Sequence, residues 1–256
     1  HVLIKPYLLW RPVLTCQFLI ELVGASLYFK CENFQKVGAF KFRGGIHSLL
    51  RLSEEERQRG VATHSSGNHA QAVALAARLT GAPAYIVMPH TAPEVKKKAV
   101  EGYGATITFC EPTLQAREDT LKEVVAKTGA YMIHPYDDYR VITGQASCAK
   151  ELLEDYPQLD AIVAPVGGGG LLGGTLLSAA YFAPDVKVYG GEPAGADDAY
   201  RSFKVGRLLP QTNPQTIADG LLTSVGSRNF EIIREHLTDL FTVSDPEIVA
   251  AMRLIW

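Results

Sequence analysis

The sequence predicts an α/β protein with mostly parallel sheets, and three observations support this class. From Val61 onward, short apolar stretches alternate with longer helix-like ones, which is typical of βαβ units. Four consecutive glycines (167–170) follow one apolar stretch and precede a helix-like one, as in loops between a strand and a helix. Hydrophobic residues make up 47% of the chain and charged residues 20%, which is ordinary for a globular protein.

The individual elements follow from residue spacing and from proline and glycine positions. Short apolar runs predict strands, and longer amphipathic stretches predict helices, with proline near a helix start or glycine beyond its end. The predicted strands are 61–64, 84–88, 105–110, 131–134, 161–166, 186–190 and 240–243. The predicted helices are 70–79, 93–103, 113–127, 141–155, 171–182, 199–205 and one beginning near 245. Residues 208–226, rich in proline, threonine and glycine, are expected to form a loop.

Composition excludes several classes of function. The formal net charge of −2, without long runs of one sign, indicates neither a nucleic-acid partner nor an anionic membrane surface. No apolar run approaches the roughly 20 residues of a membrane span, and no signal peptide is visible. The four cysteines lie far apart without a CxxC pair, which argues against structural zinc or a disulfide framework and favours a reducing, cytoplasmic location.

Residues 38–45, with the sequence GAFKFRGG, contain the first candidate for chemistry. Lys41 lies between two phenylalanines, Phe40 and Phe42, and is flanked by small residues. Aromatic neighbours would remove the amine from water and lower its pKa, as a lysine that forms a Schiff base requires. Taken alone, the octapeptide is more typical of a lysine that extends to solvent at the junction of a strand and a helix, and the two stretches that follow reverse this preference.

Two further stretches would bind anions. The tetraglycine loop exposes backbone N–H groups at a helix start, which suits a phosphate. The sequence SSGNH, residues 65–69, follows the strand 61–64 and offers hydroxyl, amide and backbone donors for a carboxylate. A reactive lysine with a phosphate cradle and a carboxylate cradle indicates pyridoxal 5′-phosphate as the cofactor and an amino acid as the substrate.

In order and spacing, these motifs resemble the serine racemase and threonine/serine dehydratase family. The resemblance covers FKCENFQK (29–36) through Arg43, residues 64–69, the tetraglycine loop and TIADG (216–220), and so runs along nearly the whole chain. It implies the tryptophan-synthase-β type of fold, with two three-layer α/β/α domains. Residues 1–55 and 140–256 would form a large cofactor-binding domain, and 56–139 a small mobile domain. A C-terminal part of the family's fold is expected to be missing, because this sequence stops within a predicted helix.

The resemblance also implies roles for particular residues. Lys41 would bond to the cofactor and take the substrate's Cα proton, while Ser66 could serve the opposite face, as racemisation requires. The implied cofactor-binding residues are Phe40, Lys41, Asn68, Gly167, Gly168, Gly169, Gly170, Leu171 and Gly220. The implied substrate-binding residues are Ser65, Ser66, Asn68, His69, Arg117 and Thr223.

Several of these residues also have plain structural interpretations. Phe40 could be core, Asn68 a helix N-cap, and Ser66 a loop hydroxyl bonded to its own backbone. His69 could be an ordinary helix residue, and Arg117 a solvated helix arginine.

An acidic loop, residues 192–198, suits a divalent cation that prefers oxygen ligands. The resemblance implies a Mg²⁺ or Ca²⁺ site formed by Glu192, Asp198 and the carbonyl of Ala196. The alternative is that Asp197 or Asp198 caps the helix that follows.

The sequence thus favours an ammonia-lyase (dehydratase) that depends on pyridoxal phosphate and acts on serine, threonine or 3-hydroxyaspartate, with possible serine racemisation. The alternatives are a dedicated amino-acid racemase and a truncated, non-catalytic paralogue that binds the cofactor. The resemblance further implies a homodimer.

Overall fold

The computed structural model describes residues 1–10 and 12–255, and within it the chain divides into two compact units. Unit 1 consists of His1–Leu9 and Asn33–Gln145, and unit 2 of Trp10–Glu32 and Ala146–Trp256. Arg11 and Trp256 lie outside the described residues. The chain passes from one unit to the other after Leu9, Glu32 and Gln145, and the last of these points lies inside a helix.

The elements alternate between strand and helix from residue 61 onward, as the sequence predicts. The strands are β1 (Val13–Leu14), β2 (Phe29–Lys30), β3 (Val61–His64), β4 (Ala84–Pro89), β5 (Thr106–Cys110), β6 (Tyr131–Met132), β7 (Ala161–Pro165), β8 (Lys187–Pro193) and β9 (Asp239–Val243). The helices are α1 (Gln17–Val23), α2 (Lys41–Leu50), α3 (Glu54–Arg59), α4 (Asn68–Thr80), α5 (Glu94–Gly102), α6 (Leu114–Thr128), α7 (Tyr139–Asp155), α8 (Gly170–Phe182), α9 (Asp198–Val205), α10 (Ser227–His236) and α11 (Asp245–Ile255).

Unit 1 contains a parallel sheet in the order β5-β4-β3-β6. On one face, α2 and α4 bury a large apolar cluster that includes Phe42, Ile46 and Ile86. On the other face, α6 covers a smaller cluster around Val87 and Leu121. Helices on both faces bury the central strands from both sides, as expected for a parallel sheet.

Unit 2 contains a three-stranded parallel sheet in the order β7-β8-β9 and a separate antiparallel pair, β1 with β2. Helix α8 packs on this sheet and against α10. Burial alternates along β7, where Ile162 and Ala164 are buried and Val163 is 72% exposed. One face of this sheet is therefore partly open among the described residues.

Local signals explain where the helices begin and end. Thr113, which the sequence assigns to the helix itself, is the N-cap of α6 and accepts a hydrogen bond from the Ala116 N–H at 3.1 Å. Gly129, with φ of +67°, ends that helix in the left-handed conformation. Ser53 and Glu56 form a capping box at the start of α3.

The predicted α/β class with parallel sheets is confirmed. The predicted domain limits at 55 and 140 stay a prediction. The compact units divide the chain elsewhere and place residues 33–55 in unit 1. Most of the predicted loop 208–226 is irregular and contains one 3-10 turn, Asp219–Leu221. In the described part of the chain, every helix is too short or too polar to cross a lipid bilayer.

Candidate active site

Lys41 is the first residue of α2 in unit 1, and its amine is held within the protein. The Nζ atom donates a hydrogen bond to the carbonyl of Pro135 at 2.9 Å. The rings of Phe40 and Tyr136 lie 5.4 and 5.9 Å from Nζ. Burial lowers the pKa of Lys41 from 10.5 to about 8. The positive end of the α2 dipole acts in the same direction, because it disfavours a cation at a helix start.

One detail of the expectation for this lysine needs correction. The sequence places Lys41 between two phenylalanines, but Phe42 is fully buried in the core of unit 1, with Lys36 over its ring at 5.3 Å. Side chains one residue apart on a helix point in different directions. The second aromatic ring near the amine is instead Tyr136, nearly a hundred residues further along the chain.

The SSGNH loop joins the carboxyl end of β3 to the start of α4. Gly67 is the N-cap of α4 and provides no side-chain cap, so the first N–H groups of the helix are available for an anion. Asn68 is therefore not the cap but the first helical residue. The local backbone bond of the loop is made by Ser65, whose hydroxyl accepts from the Gly67 N–H at 3.2 Å, rather than by Ser66.

His69 is buried, with 3% of its surface exposed. Its Nε2 lies 3.3 Å from the carbonyl of Ile133, so Nε2 carries the proton and Nδ1 an unshared pair. Nδ1 is buried and has no hydrogen-bond partner among the described residues. Burial, followed by the charge of Lys41, holds the pKa of His69 well below 6.5. The imidazole is thus a neutral acceptor, which could receive a hydrogen bond from a bound ligand.

Arg117 lies on α6, half-buried, and its Nε donates to the carbonyl of Thr113 at 3.3 Å. Its charge helps to lower the pKa of His64, the last residue of β3, although burial and His134 have larger effects. Arg117 is therefore close to the strand end from which the SSGNH loop begins, which is where parallel sheets bind ligands.

In unit 2, the tetraglycine loop leads from β7 into α8, and its four glycines are buried. Gly169 has φ of +86°, and a Cβ atom there would lie 2.8 Å from Cβ of Asn229. A Cβ atom on Gly167 would lie 3.0 Å from Cα of Leu221. The carbonyl of Gly168 accepts hydrogen bonds from the Gly226 N–H (3.1 Å) and from Nδ2 of Asn229 (2.9 Å). Positions 167 and 169 therefore require glycine, and the loop ends at a helix N-terminus, as a phosphate cradle requires.

The remaining predicted cofactor and substrate residues of unit 2 are less defined by contacts. Leu171, in the first turn of α8, is half-buried. Gly220, in the 3-10 turn, has its carbonyl 3.4 Å from where a Gly167 Cβ atom would lie, so this turn borders the glycine loop. Thr223 is exposed.

Glu192 and Asp198 are fully buried in unit 2, as is Ala196. The Glu192 carboxylate accepts from the backbone N–H groups of Ala199 (3.2 Å) and Tyr200 (2.8 Å), so it is Glu192 that satisfies the start of α9. Asp197, at the N-cap, makes no side-chain cap, and Asp198 accepts from the Val225 N–H at 2.8 Å. Burial raises the pKa of Glu192 to about 8, and it also raises that of Asp198. The described residues contain no cluster of three acidic, histidine or cysteine side chains suited to a metal.

Four residues around the lysine and the SSGNH loop received no role from the sequence: His64, His134, Pro135 and Tyr136. His64 is the last residue of β3. His134 is the last residue of the predicted strand 131–134, and Pro135 and Tyr136 come directly after it. Their position at carboxyl ends of parallel strands was the signal that could have found them.

The chain is similar to known proteins in both sequence and fold. The family described as "Pyridoxal-phosphate dependent enzyme" matches residues 4–256. The β-hydroxyaspartate dehydratase of Paracoccus denitrificans is 50% identical over 256 residues, which cover 100% of this chain and 81% of that protein. The serine racemase of Dictyostelium discoideum is 48% identical over 258 residues, covering 100% and 80%. A crystal structure of the serine racemase from Dictyostelium discoideum superposes with a TM-score of 0.96 and covers 100% of this chain and 82% of that one. The chain therefore belongs to the family of pyridoxal-phosphate dependent enzymes.

Proposed function

We propose that this protein is an ammonia-lyase that uses pyridoxal phosphate to convert small β-hydroxy amino acids to a 2-oxo acid and ammonia, with racemisation as a shared activity. The observation that carries the proposal is the buried amine of Lys41, with its pKa near 8, in the same unit as the uncapped start of α4. The names of the relatives, a hydroxyaspartate dehydratase and serine racemases, support this substrate class.

The residues of the chain fit the cofactor. The glycine path through Gly167 and Gly169 leaves no room for Cβ atoms and ends at the α8 N-terminus, which suits a phosphate. The buried Nδ1 of His69 lacks a partner among the described residues and would accept a hydrogen bond from the cofactor or substrate. When bound, pyridoxal phosphate supplies the electron sink that makes the Cα proton of an amino acid acidic.

Lys41 is proposed as the base that takes this proton. With a pKa of about 8, roughly a tenth of the amine is neutral at pH 7, against about 0.03% for an ordinary lysine. The first N–H groups of α4, with Ser65 and Asn68, would bind the substrate carboxylate and orient Cα toward the amine. Arg117 and Thr223 remain proposed contacts to the substrate side chain.

Ser66 is proposed as the proton donor on the opposite face of Cα, where it would allow racemisation beside elimination without requiring it. A hydroxyl there permits racemisation, whereas elimination requires only Lys41. Each candidate amino acid should therefore be incubated with the protein, and both the 2-oxo acid and the enantiomeric ratio of the remaining substrate measured. Absence of 2-oxo acid from serine, threonine and 3-hydroxyaspartate would exclude the lyase. Racemisation without 2-oxo acid would support a dedicated racemase.

A visible absorption band that the protein keeps after gel filtration has removed free pyridoxal phosphate, and that is absent from Lys41→Ala, tests the cofactor separately. A band that responds to none of the amino acids would support the third alternative, a non-catalytic cofactor-binding paralogue.

We further propose that Glu192, Asp198 and the Ala196 carbonyl bind Mg²⁺ or Ca²⁺. Two buried carboxyl groups whose pKa values are raised by burial gain stability from a proton or a cation nearby. Binding of either ion should raise the melting temperature of the wild-type protein but not that of Asp198→Asn. An equal response of both proteins would contradict the assignment.

A homodimer and a cytoplasmic location complete the proposal. The four cysteines, all within the described part of the chain, form no disulfide, which suits a reducing compartment. Sedimentation of the purified protein tests the dimer.

A further inference from the structure

The chain after β6 is folded around the imidazole of His134. Its Nδ1 accepts hydrogen bonds from the backbone N–H of Tyr136 at 3.3 Å and of Asp137 at 2.9 Å. A ring nitrogen that accepts must carry a lone pair, so the ring proton lies on Nε2 and this imidazole is neutral. Pro135 favours the same turn, because its ring fixes φ and it has no N–H of its own.

One peptide group connects this imidazole to the reactive lysine. The carbonyl of Pro135 and the N–H of Tyr136 belong to the same trans peptide, so they point in opposite directions. The N–H points at Nδ1 of His134, and the carbonyl accepts from Nζ of Lys41 at 2.9 Å. The orientation of the acceptor for Lys41 is therefore determined by the bond on the other side of the peptide.

The same imidazole also positions an aromatic ring beside the amine. The rings of His134 and Tyr136 pack edge to face, with centroids 4.7 Å apart and planes at 87°. The Tyr136 ring in turn lies 5.9 Å from Nζ of Lys41. His134 thus contacts both groups of this loop that surround the amine.

We infer that His134 is a positioning residue for Lys41. As a neutral acceptor, it orients the 135–136 peptide so that the Pro135 carbonyl holds the lysine amine whenever that amine is not bonded to the cofactor. The inference rests on the proposed function, in which Lys41 must return to one position in every turnover. It assigns to His134 no contact with substrate or cofactor.

The carbonyl also influences the protonation of the amine. A carbonyl acceptor stabilises an ammonium group, whereas burial disfavours it. Loss of the carbonyl without entry of water would therefore lower the pKa of Lys41 further. Simple loosening of the loop would admit water and raise the pKa toward the ordinary 10.5. The direction of the change separates a positioning role from a merely structural one.

Three variants test the inference. His134→Leu removes the acceptor, and His134→Asn restores it, because the Asn side-chain oxygen stands the same number of bonds from Cα as Nδ1 and can accept from the same two N–H groups. His134→Gln offers the same amide one bond too far away and serves as the matched control. Folding of each variant is checked by circular dichroism and thermal melting.

The readout uses cofactor-free protein mixed with pyridoxal phosphate over a range of pH. Borohydride trapping and mass spectrometry of the Lys41 peptide report the rate at which the amine reacts. We expect a midpoint near pH 8 for the wild type, because burial sets the pKa of Lys41 there. Above the midpoint, where the amine is neutral in every variant, we expect His134→Leu and His134→Gln to react about tenfold more slowly than the wild type, and His134→Asn to remain within about threefold of it. The midpoints of His134→Leu and His134→Gln should be lower than that of the wild type.

The outcomes distinguish this inference from the proposed function. If the wild type is not labelled at Lys41, the proposed function fails, and the inference fails with it. If the wild type is labelled but His134→Leu and His134→Gln react as fast as the wild type, only the inference is overturned. The same holds if the midpoints of these two variants rise toward 10.5. Should the Leu variant not fold, a folded His134→Gln with wild-type kinetics overturns it equally.

Discussion

The two units are built on parallel sheets, but they contribute different kinds of chemistry. Unit 1 presents reactive side chains, chiefly the amine of Lys41 and the imidazole of His69. Unit 2 presents backbone, in a glycine loop where side chains would collide with Asn229 and Leu221. Substitutions in unit 1 should therefore alter the chemical step, whereas substitutions in unit 2 should alter how tightly the cofactor binds.

The sheets differ as well. In unit 1, helices cover both faces, and Val87 is fully buried. In unit 2, β7 alternates between buried and exposed residues, and Phe241 on β9 is 51% exposed. The same residue type should thus contribute unequally to stability in the two units.

The largest expected effect is on the chemistry of unit 1. Lys41→Ala should lower the rate of 2-oxo acid formation by roughly 10³-fold or more, because it removes the proposed base. Lys122→Ala, at an exposed position on α6, is the control and should keep wild-type activity. Full activity of Lys41→Ala, measured at saturating cofactor, would eliminate the proposed role of this lysine.

Gly169→Ala tests the backbone role of unit 2. The φ of +86° and the 2.8 Å approach to Asn229 should strain an alanine by about 3 kcal/mol. A loop that shifts to relieve this strain should lose the phosphate geometry, which lowers the affinity for pyridoxal phosphate by up to roughly a hundredfold. Gly206→Ala is the matched control, since its φ of +76° lies in open space. That control should lose about 1 kcal/mol of stability without a change in cofactor binding. Equal affinities in a fluorescence titration would argue against the cradle.

The two sheets can be compared directly by urea unfolding. Val87→Ala should reduce the free energy of unfolding by about 2 kcal/mol, because it leaves a cavity in a buried site. Val163→Ala, at a position 72% exposed, should change it by less than about 0.5 kcal/mol. Similar losses for both would mean that the open face of β7 is covered in solution.

The smallest expected effect concerns pH. Since burial lowers the pKa of Lys41 to about 8, the folded, cofactor-free chain binds fewer protons than the unfolded chain between about pH 8 and 10.5. The stability cost of this lysine is complete below pH 8 and decreases as the pH rises through that window. Lys41→Met should therefore stabilise the cofactor-free protein at pH 7, on the order of 1–2 kcal/mol. A gain that persists at pH 10.5 would assign it to packing instead.

Much of the fold followed from the sequence because local signals determine it. Pro93, the N-cap of α5, and Gly129, after α6, marked these helix boundaries to within a residue or two. The lysine and the glycine loop were also visible, because each is a contiguous motif. The ring of Phe42 was expected beside the Lys41 amine but lies in the core. The sequence could not show this, because the face that α2 turns toward the core decides where the ring points.

The surroundings of the lysine were not predictable in the same way. His134 and Tyr136 are nearly a hundred residues from Lys41 in the chain and reach it only through the pairing of β6 with β3. No local pattern encodes that proximity. The N-cap of α4 is Gly67 and not Asn68, and this also depends on the path of the loop after β3.

The Gly168 carbonyl accepts two hydrogen bonds, and both donors connect the glycine loop to a helix elsewhere in unit 2. Asn229 lies on α10 and Gly226 is the N-cap of that helix, so both donors belong to a helix outside the loop. These two hydrogen bonds hold the Gly168 carbonyl toward α10. They oppose a rotation of the peptide that would bring the negative carbonyl oxygen toward a bound phosphate. Displacement of α10 would therefore release that restraint and loosen the glycine loop.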